Sequence, residues 1–163
     1  MRELMSEPLA DRIIKSIGQA AKLYHRLVIV VAPAGYGKTG ALQEVKARIA
    51  ASLINVNLEL SRLLLDFTER QRVLQLSRLL AEIVDASEAE VVLLDNMEIL
   101  FEVSLKQDPL RLLQGLSRNK TMVAAWSGSI DGEQLTYAMP DHPEYKRYSL
   151  RDLLVVNQKP VVL

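Results

Sequence analysis

Two hydrophobic periods alternate along this chain. Between residues 6 and 25, Leu9, Ile13, Ile14, Ile17, Ala20, Ala21 and Tyr24 recur at helical spacing, with Arg12, Lys15, Gln19 and Lys22 on the opposite face. Ser6 and Pro8 supply a start for that helix. Residues 27–31, Leu-Val-Ile-Val-Val, are apolar without alternation, as in a central strand covered on both faces. Helical spacing returns to about Ala50 through Ala41, Leu42, Val45 and Ile49. Residues 53–58, Leu-Ile-Asn-Val-Asn-Leu, predict a second strand whose polar alternates place it nearer the sheet edge.

Thr68-Glu69-Arg70-Gln71 has the spacing of a capping box and opens a helix with Val73, Leu76, Leu79, Leu80, Ile83 and Val84 inside. Arg62, Arg70, Arg72 and Arg78 fall on or near its solvated face. A third strand, Val91 to Leu94, ends in Asp95, and Asp108-Pro109 starts a short helix. A fourth strand, Thr121 to Trp126, ends at Ser127-Gly128. Asp131-Gly132 then predicts a hairpin turn with 135–138 returning, and 145–156 a last strand and a helical turn. Strands alternating with helices predict an α/β fold around a parallel sheet. We find no repeat and no linker, so the expectation is one domain: an N-terminal helix within 1–26 and a core over 27–156.

Composition narrows the picture only slightly. The 163 residues, 49% hydrophobic and 25% charged, suit one globular domain with a full core. Twenty basic and twenty acidic residues cancel, so no global field draws in nucleic acid or an anionic membrane. Zero cysteines exclude disulfides and thiolate metal sites. No apolar run approaches the length of a membrane span and the N-terminus lacks a signal-peptide core, so the expected setting is the cytoplasm.

The chemistry concentrates between the first strand and the next helix. There the sequence reads Ala32-Pro33-Ala34-Gly35-Tyr36-Gly37-Lys38-Thr39-Gly40. A strand, a glycine-rich loop and a helix opened by Gly-Lys-Thr form the context of a phosphate-binding P-loop, or Walker A motif. Glycines let backbone N–H groups approach phosphate oxygens, and the helix N-terminus adds partial positive charge. Lys38 would reach the β- and γ-phosphates of a nucleotide, and Thr39 would offer its hydroxyl to Mg²⁺. Ala32 stands where the motif has its first glycine.

Asp95, at the end of a buried strand, fits the Walker B carboxylate that holds Mg²⁺. Asn96 follows it, where many P-loop ATPases carry a glutamate; an amide cannot take the proton of an attacking water. Glu59, after the second strand, and Glu98 are the two candidates for that role, and either also fits an ordinary surface carboxylate. Ser127 is placed to sense a γ-phosphate if the fourth strand lies between the first and third. Arg118 and Arg147 are candidate arginine fingers acting across a subunit boundary. His25 and His142 are isolated in sequence, and Trp126 reads as core.

The loop form Ala-Gly-Tyr-Gly-Lys-Thr resembles the ATPase modules of signal-transducing NTPases related to AAA+ proteins. Over nearly its full length the chain is similar to the BrxF family, small P-loop proteins of type III BREX bacteriophage-defence systems. The stretches that carry the similarity are Leu23 to Leu27, Asn55 to Arg62 and Leu94 to Phe101, extended by Lys106 to Arg118, Leu135 to Ala138 and His142 to Tyr145. The resemblance implies a three-layer P-loop NTPase core of strand order 5-1-4-3-2 and a bacterial cytoplasmic subunit working with other BREX proteins. It carries Lys38 and Thr39 over as Walker A, Asp95 as Walker B and Ser127 as a first sensor. Almost nothing follows residue 150, so a helical lid domain is not expected, and a closed site would need a second copy or a partner.

Three functions follow as expectations. The first is a Mg²⁺-dependent ATPase acting as an oligomerising switch or motor in phage defence. The second, favoured by Asn96, is a subunit that binds ATP without hydrolysing it and holds an assembly together. The third is a P-loop kinase. DNA contact through Lys146, Arg147 and Arg151 is expected only within a complex, because the overall charge is balanced. The residues alone do not separate ATP from GTP; the resemblance implies ATP.

Overall fold

The computed structural model describes residues 7–157. Its elements run α1 (Leu9–Ala20), β1 (Leu27–Ala32), α2 (Lys38–Arg48), β2 (Ala51–Asn55), α3 (Val56–Leu64), α4 (Glu69–Asp85) and β3 (Val91–Asp95). Two single 3₁₀ turns, Glu98–Phe101 and Val103–Leu105, lead to α5 (Pro109–Leu116). The chain closes with β4 (Thr121–Asp131), β5 (Gln134–Tyr137), β6 (Lys146–Ser149) and β7 (Leu154–Asn157). No helix of the described residues is long and apolar enough to cross a membrane.

The main sheet has the order β2-β3-β4-β1-β7, and every neighbouring pair in it is parallel. β4 lies between β1 and β3, as expected. The outer neighbour of β1 is the seventh strand and not the fifth, so the order 5-1-4-3-2 is corrected to 7-1-4-3-2. The reason is local: β4 continues past Ser127 to Asp131 and turns through Gly132, β5 pairs with it antiparallel, and β6 pairs antiparallel with β5 before the chain returns. The expected helical turn in the tail is instead a strand, β6, joined to β7 through a turn at Asp152 with φ +64°.

Alternation along the strands divides the core. Ile29, Val31, Leu94, Ala124 and Trp126 face α3, α4, α5 and the 3₁₀ turns, while Val28, Val30, Leu93, Val123 and Ala125 face α1 and α2. β1 is buried along its whole length, which explains its unbroken apolar run. The box at Thr68 is present: its hydroxyl accepts from the Gln71 N–H, and the Gln71 side chain accepts from the Thr68 N–H.

Two elements and one side chain differ from expectation. β2 ends at Asn55 rather than residue 58, because the Asn55 side chain accepts the Leu58 N–H and caps a helix that buries Val56, Leu60 and Leu64. Arg72 does not sit on a solvated face; its guanidinium donates to the carbonyls of Leu64 and Phe67 and closes the end of α3. α1 begins after Pro8, and the expected start at Ser6 lies outside the described residues; the helix ends at Ala20 and not at 25, so Ala21 and Tyr24 fall beyond it and Tyr24 is exposed.

Candidate functional site

The C-terminal ends of the parallel strands form one edge of the sheet, where clefts open in α/β folds. Register aligns Ala32 with Ser127 and Asn55 with Asp95 along that edge. Over it lies a cleft of about 800 Å³, the size of a small-molecule site. Pro33, Ala34, Gly35, Gly37, Lys38 and Thr39 form one wall. Asp95, Asn96, Glu98 and Ser127 form its floor. Of the residues read from the sequence as loop or site, Tyr36, Gly40, Glu59, Arg118 and Arg147 are not part of the lining.

The loop conformation depends on glycine. Gly35 and Gly37 both have φ +86°, and Gly37 takes the left-handed conformation at the cap of α2. Ala32 is buried as the last residue of β1, so the missing first glycine falls in a strand, where a Cβ is no obstacle. Lys38 is buried, and its ammonium folds back to donate to the carbonyls of Ala32 (2.8 Å) and Pro33 (3.1 Å). Burial pulls its pKa down, and the carboxylates of Glu98 and Asp95 oppose that shift. An anion entering the loop would favour the charged form of Lys38.

Thr39 donates its hydroxyl to Asp95 Oδ2 at 2.7 Å. Asp95 Oδ1 accepts the Asn96 N–H at 2.9 Å. Thr39 and Asp95 thus present two hard oxygens side by side at the mouth of the loop, the donor set and spacing that suit Mg²⁺ retaining most of its waters. Three or more His, Cys, Asp or Glu side chains do not cluster as a metal cage anywhere among the described residues. The pair therefore fits a cation shared with a bound phosphate rather than a protein-only metal centre.

Glu98 is the carboxylate the fold brings in. Its Oε1 accepts from Asn57 Nδ2 at 3.1 Å, and its Oε2 accepts from the Ser127 hydroxyl at 3.2 Å. Asn57 is itself fixed: its Oδ1 accepts the Ile99 N–H at 2.8 Å, and its own N–H donates to the Asn96 carbonyl at 2.7 Å. Three elements thus aim one carboxylate into the cleft. Asn96 takes φ +49° to let the chain turn there. Glu59 lies in the first turn of α3, 3.8 Å from Arg62.

Arg118 sits at the opposite edge of the sheet, where its guanidinium lies 5.2 Å from the Tyr24 ring centroid and its carbonyl accepts from Arg26. The length of β1, roughly 17 Å, separates it from the cleft of its own chain. Arg147 is exposed on β6, paired with Thr136.

Sequence reasoning missed the far wall of the cleft. Tyr137 at the end of β5, and Ala138, Met139, His142 and Glu144 from the segment between β5 and β6, face the loop. Ala138 turns the chain with φ +65°, and His142 Nδ1 accepts the Glu144 N–H at 3.0 Å. The cleft lining then holds the carboxylates Asp95, Glu98 and Glu144 against the single ammonium of Lys38. Asn57 was missed as well; its only sequence signal is its nearness to the Asn55 cap. Comparisons with protein-family models, with curated proteins and with solved structures find no match.

Proposed function

We propose that the chain is a P-loop NTPase that binds ATP with Mg²⁺ in this cleft and hydrolyses it. The observation that carries the reading is the junction of Lys38, folded over a loop with two left-handed glycines, with the Thr39–Asp95 contact of 2.7 Å. Anions bind where backbone N–H groups and a helix N-terminus converge. α2 begins at Lys38 immediately after that loop. Thr39 and Asp95 would hold Mg²⁺, which supplies neutralisation of phosphate charge.

Hydrolysis needs a base, and Glu98 fits it better than Glu59. Glu98 is in the cleft and oriented from both sides, whereas Glu59 is outside the lining and beside Arg62. Water held by Glu98 would attack the terminal phosphorus as the bond from that phosphorus to the bridging oxygen breaks. Its proton would pass to the carboxylate. Lys38 offsets charge on the phosphates as the bond breaks. On the resemblance, this activity serves a BREX anti-phage system in the cytoplasm, as an oligomerising switch or motor together with other proteins of that system.

One observation favours a clamp that binds ATP without turnover. Each carboxylate oxygen of Glu98 already accepts one hydrogen bond, so a water must share an oxygen with Asn57 or Ser127. Steady-state ATP hydrolysis against protein concentration, with Lys38→Ala as the blank, separates the two. Turnover above the blank supports the ATPase. A rate per subunit that rises with concentration places part of the site between subunits and directs attention to Arg118 and Arg147. Binding with no turnover at any concentration supports the clamp.

A further inference from the structure

Tyr137 is 6% exposed, and its ring is fixed from two sides. It stacks on Phe101 with centroids 3.5 Å apart and planes 7° from parallel, and Trp126 meets it edge-on at 6.1 Å. The residue nevertheless lines the cleft together with Glu98, Ser127 and Glu144. Its hydroxyl makes no hydrogen bond within the described chain, unlike that of Tyr148, which donates to Asp108 at 3.0 Å. Burial, then the nearby charges of Glu98 and Glu144, push its pKa well up, so the group stays protonated and acts as a donor. The fixed ring thus holds a donor without a protein partner at the open cleft, free to meet an acceptor on the cleft's occupant.

The position indicates which part of the occupant that is. Ser127, which donates to Glu98, pairs with Ala32 at the start of the loop, and its neighbour Gly128 pairs with Tyr137, so register sets Tyr137 beside the Glu98 carboxylate on the side away from the loop. Lys38 marks the phosphate end of the cleft. The hydroxyls of Ser127 and Thr39 are committed to carboxylates: Ser127 donates to Glu98, and Thr39 to Asp95. No arginine among the described residues lines the cleft.

We propose that the Tyr137 hydroxyl donates to the terminal phosphate of a bound nucleoside triphosphate and so sets the preference of the site for triphosphate over diphosphate. This rests on the nucleotide reading given above. A diphosphate held in the same loop ends one phosphate short and leaves the hydroxyl unpartnered. Tyr137 is thus a specificity-determining residue on the wall facing the loop.

Tyr137→Phe removes the hydroxyl and keeps the ring that stacks on Phe101, so its melting temperature should match the wild type. The affinities of the Mg²⁺ complexes of ADP and of the β,γ-imido analogue of ATP are then measured for both proteins. The expected result is a loss of about tenfold or more for the triphosphate analogue, because a hydrogen bond to a charged group is broken, with ADP unchanged within about twofold. Equal affinities in wild type and variant for both ligands overturn the proposal, and so does an equal loss for both. Unchanged affinities with slower ATP turnover overturn it too, since the hydroxyl then holds water instead. A wild-type protein that binds neither ligand removes the nucleotide reading and the proposal with it.

Discussion

Glu98→Gln is expected to lower ATP turnover by about two to four orders of magnitude while leaving ATP affinity close to that of the wild type. The substitution preserves shape and hydrogen bonding. The Gln oxygen still accepts from Asn57, and its amide donates to Ser127 in place of accepting from it. What disappears is basicity, and with it the means of taking a proton from water. Single-turnover hydrolysis alongside an equilibrium binding measurement checks both halves. Turnover equal to the wild type would move the base elsewhere, and Glu59→Gln would be the next variant. A fall in affinity as large as the fall in rate would assign Glu98 to the integrity of the cleft instead.

Gly128→Ala is expected to have the largest effect on stability among the substitutions at the cleft. A Cβ at this position would lie 1.9 Å from the Thr136 carbonyl oxygen and 3.0 Å from Trp126 Nε1. That carbonyl cannot retreat easily, because it is backbone on β5 and already accepts from the Trp126 indole at 2.9 Å. Relief requires β5 to part from β4, which would carry Tyr137 away from Phe101 and open the far wall. A cost of roughly 3 kcal/mol is expected, at the upper end for overpacking. Urea unfolding gives the value, with Gly115→Ala as the control, because a Cβ there meets nothing within 4 Å. A Gly128→Ala protein as stable as its control would mean that the β4–β5 pairing is looser than the contact distances imply.

The parts of this molecule that were legible in the sequence are those governed by local periodicity. β1 and β3 were readable because a strand covered on both faces must be apolar at successive positions. The α4 and α5 starts were readable because Thr68 and Asp108 cap their own helices. The glycine-rich turn before α2 and the place of Asp95 at the end of β3 were readable because each lies directly beside an apolar strand.

What escaped depended on contacts distant in sequence. The Asn55–Leu58 segment alternates like a strand, and only Val56, Leu60 and Leu64 facing the core together show it to be a cap and a helix. The strand order misnumbered β7 because it was taken from the resemblance, whose count leaves out the antiparallel β5 and β6 even though the hairpin at 131–138 was read. Asn57, 41 positions from Glu98, and Tyr137, 36 positions from Phe101, reach the cleft only through tertiary packing. His142 looked isolated for the same reason.

Binding of ATP measured calorimetrically, with and without Mg²⁺ and against Lys38→Ala, tests the central claim most directly. Three carboxylates face one ammonium in the cleft lining, so a triphosphate needs the divalent cation as well as Lys38 to offset its charge. The account predicts one site per chain, binding at least about tenfold tighter with Mg²⁺ than without, and loss of about a hundredfold or more in Lys38→Ala. ATP binding of equal strength in Lys38→Ala, or no binding by the wild type under either condition, would contradict it.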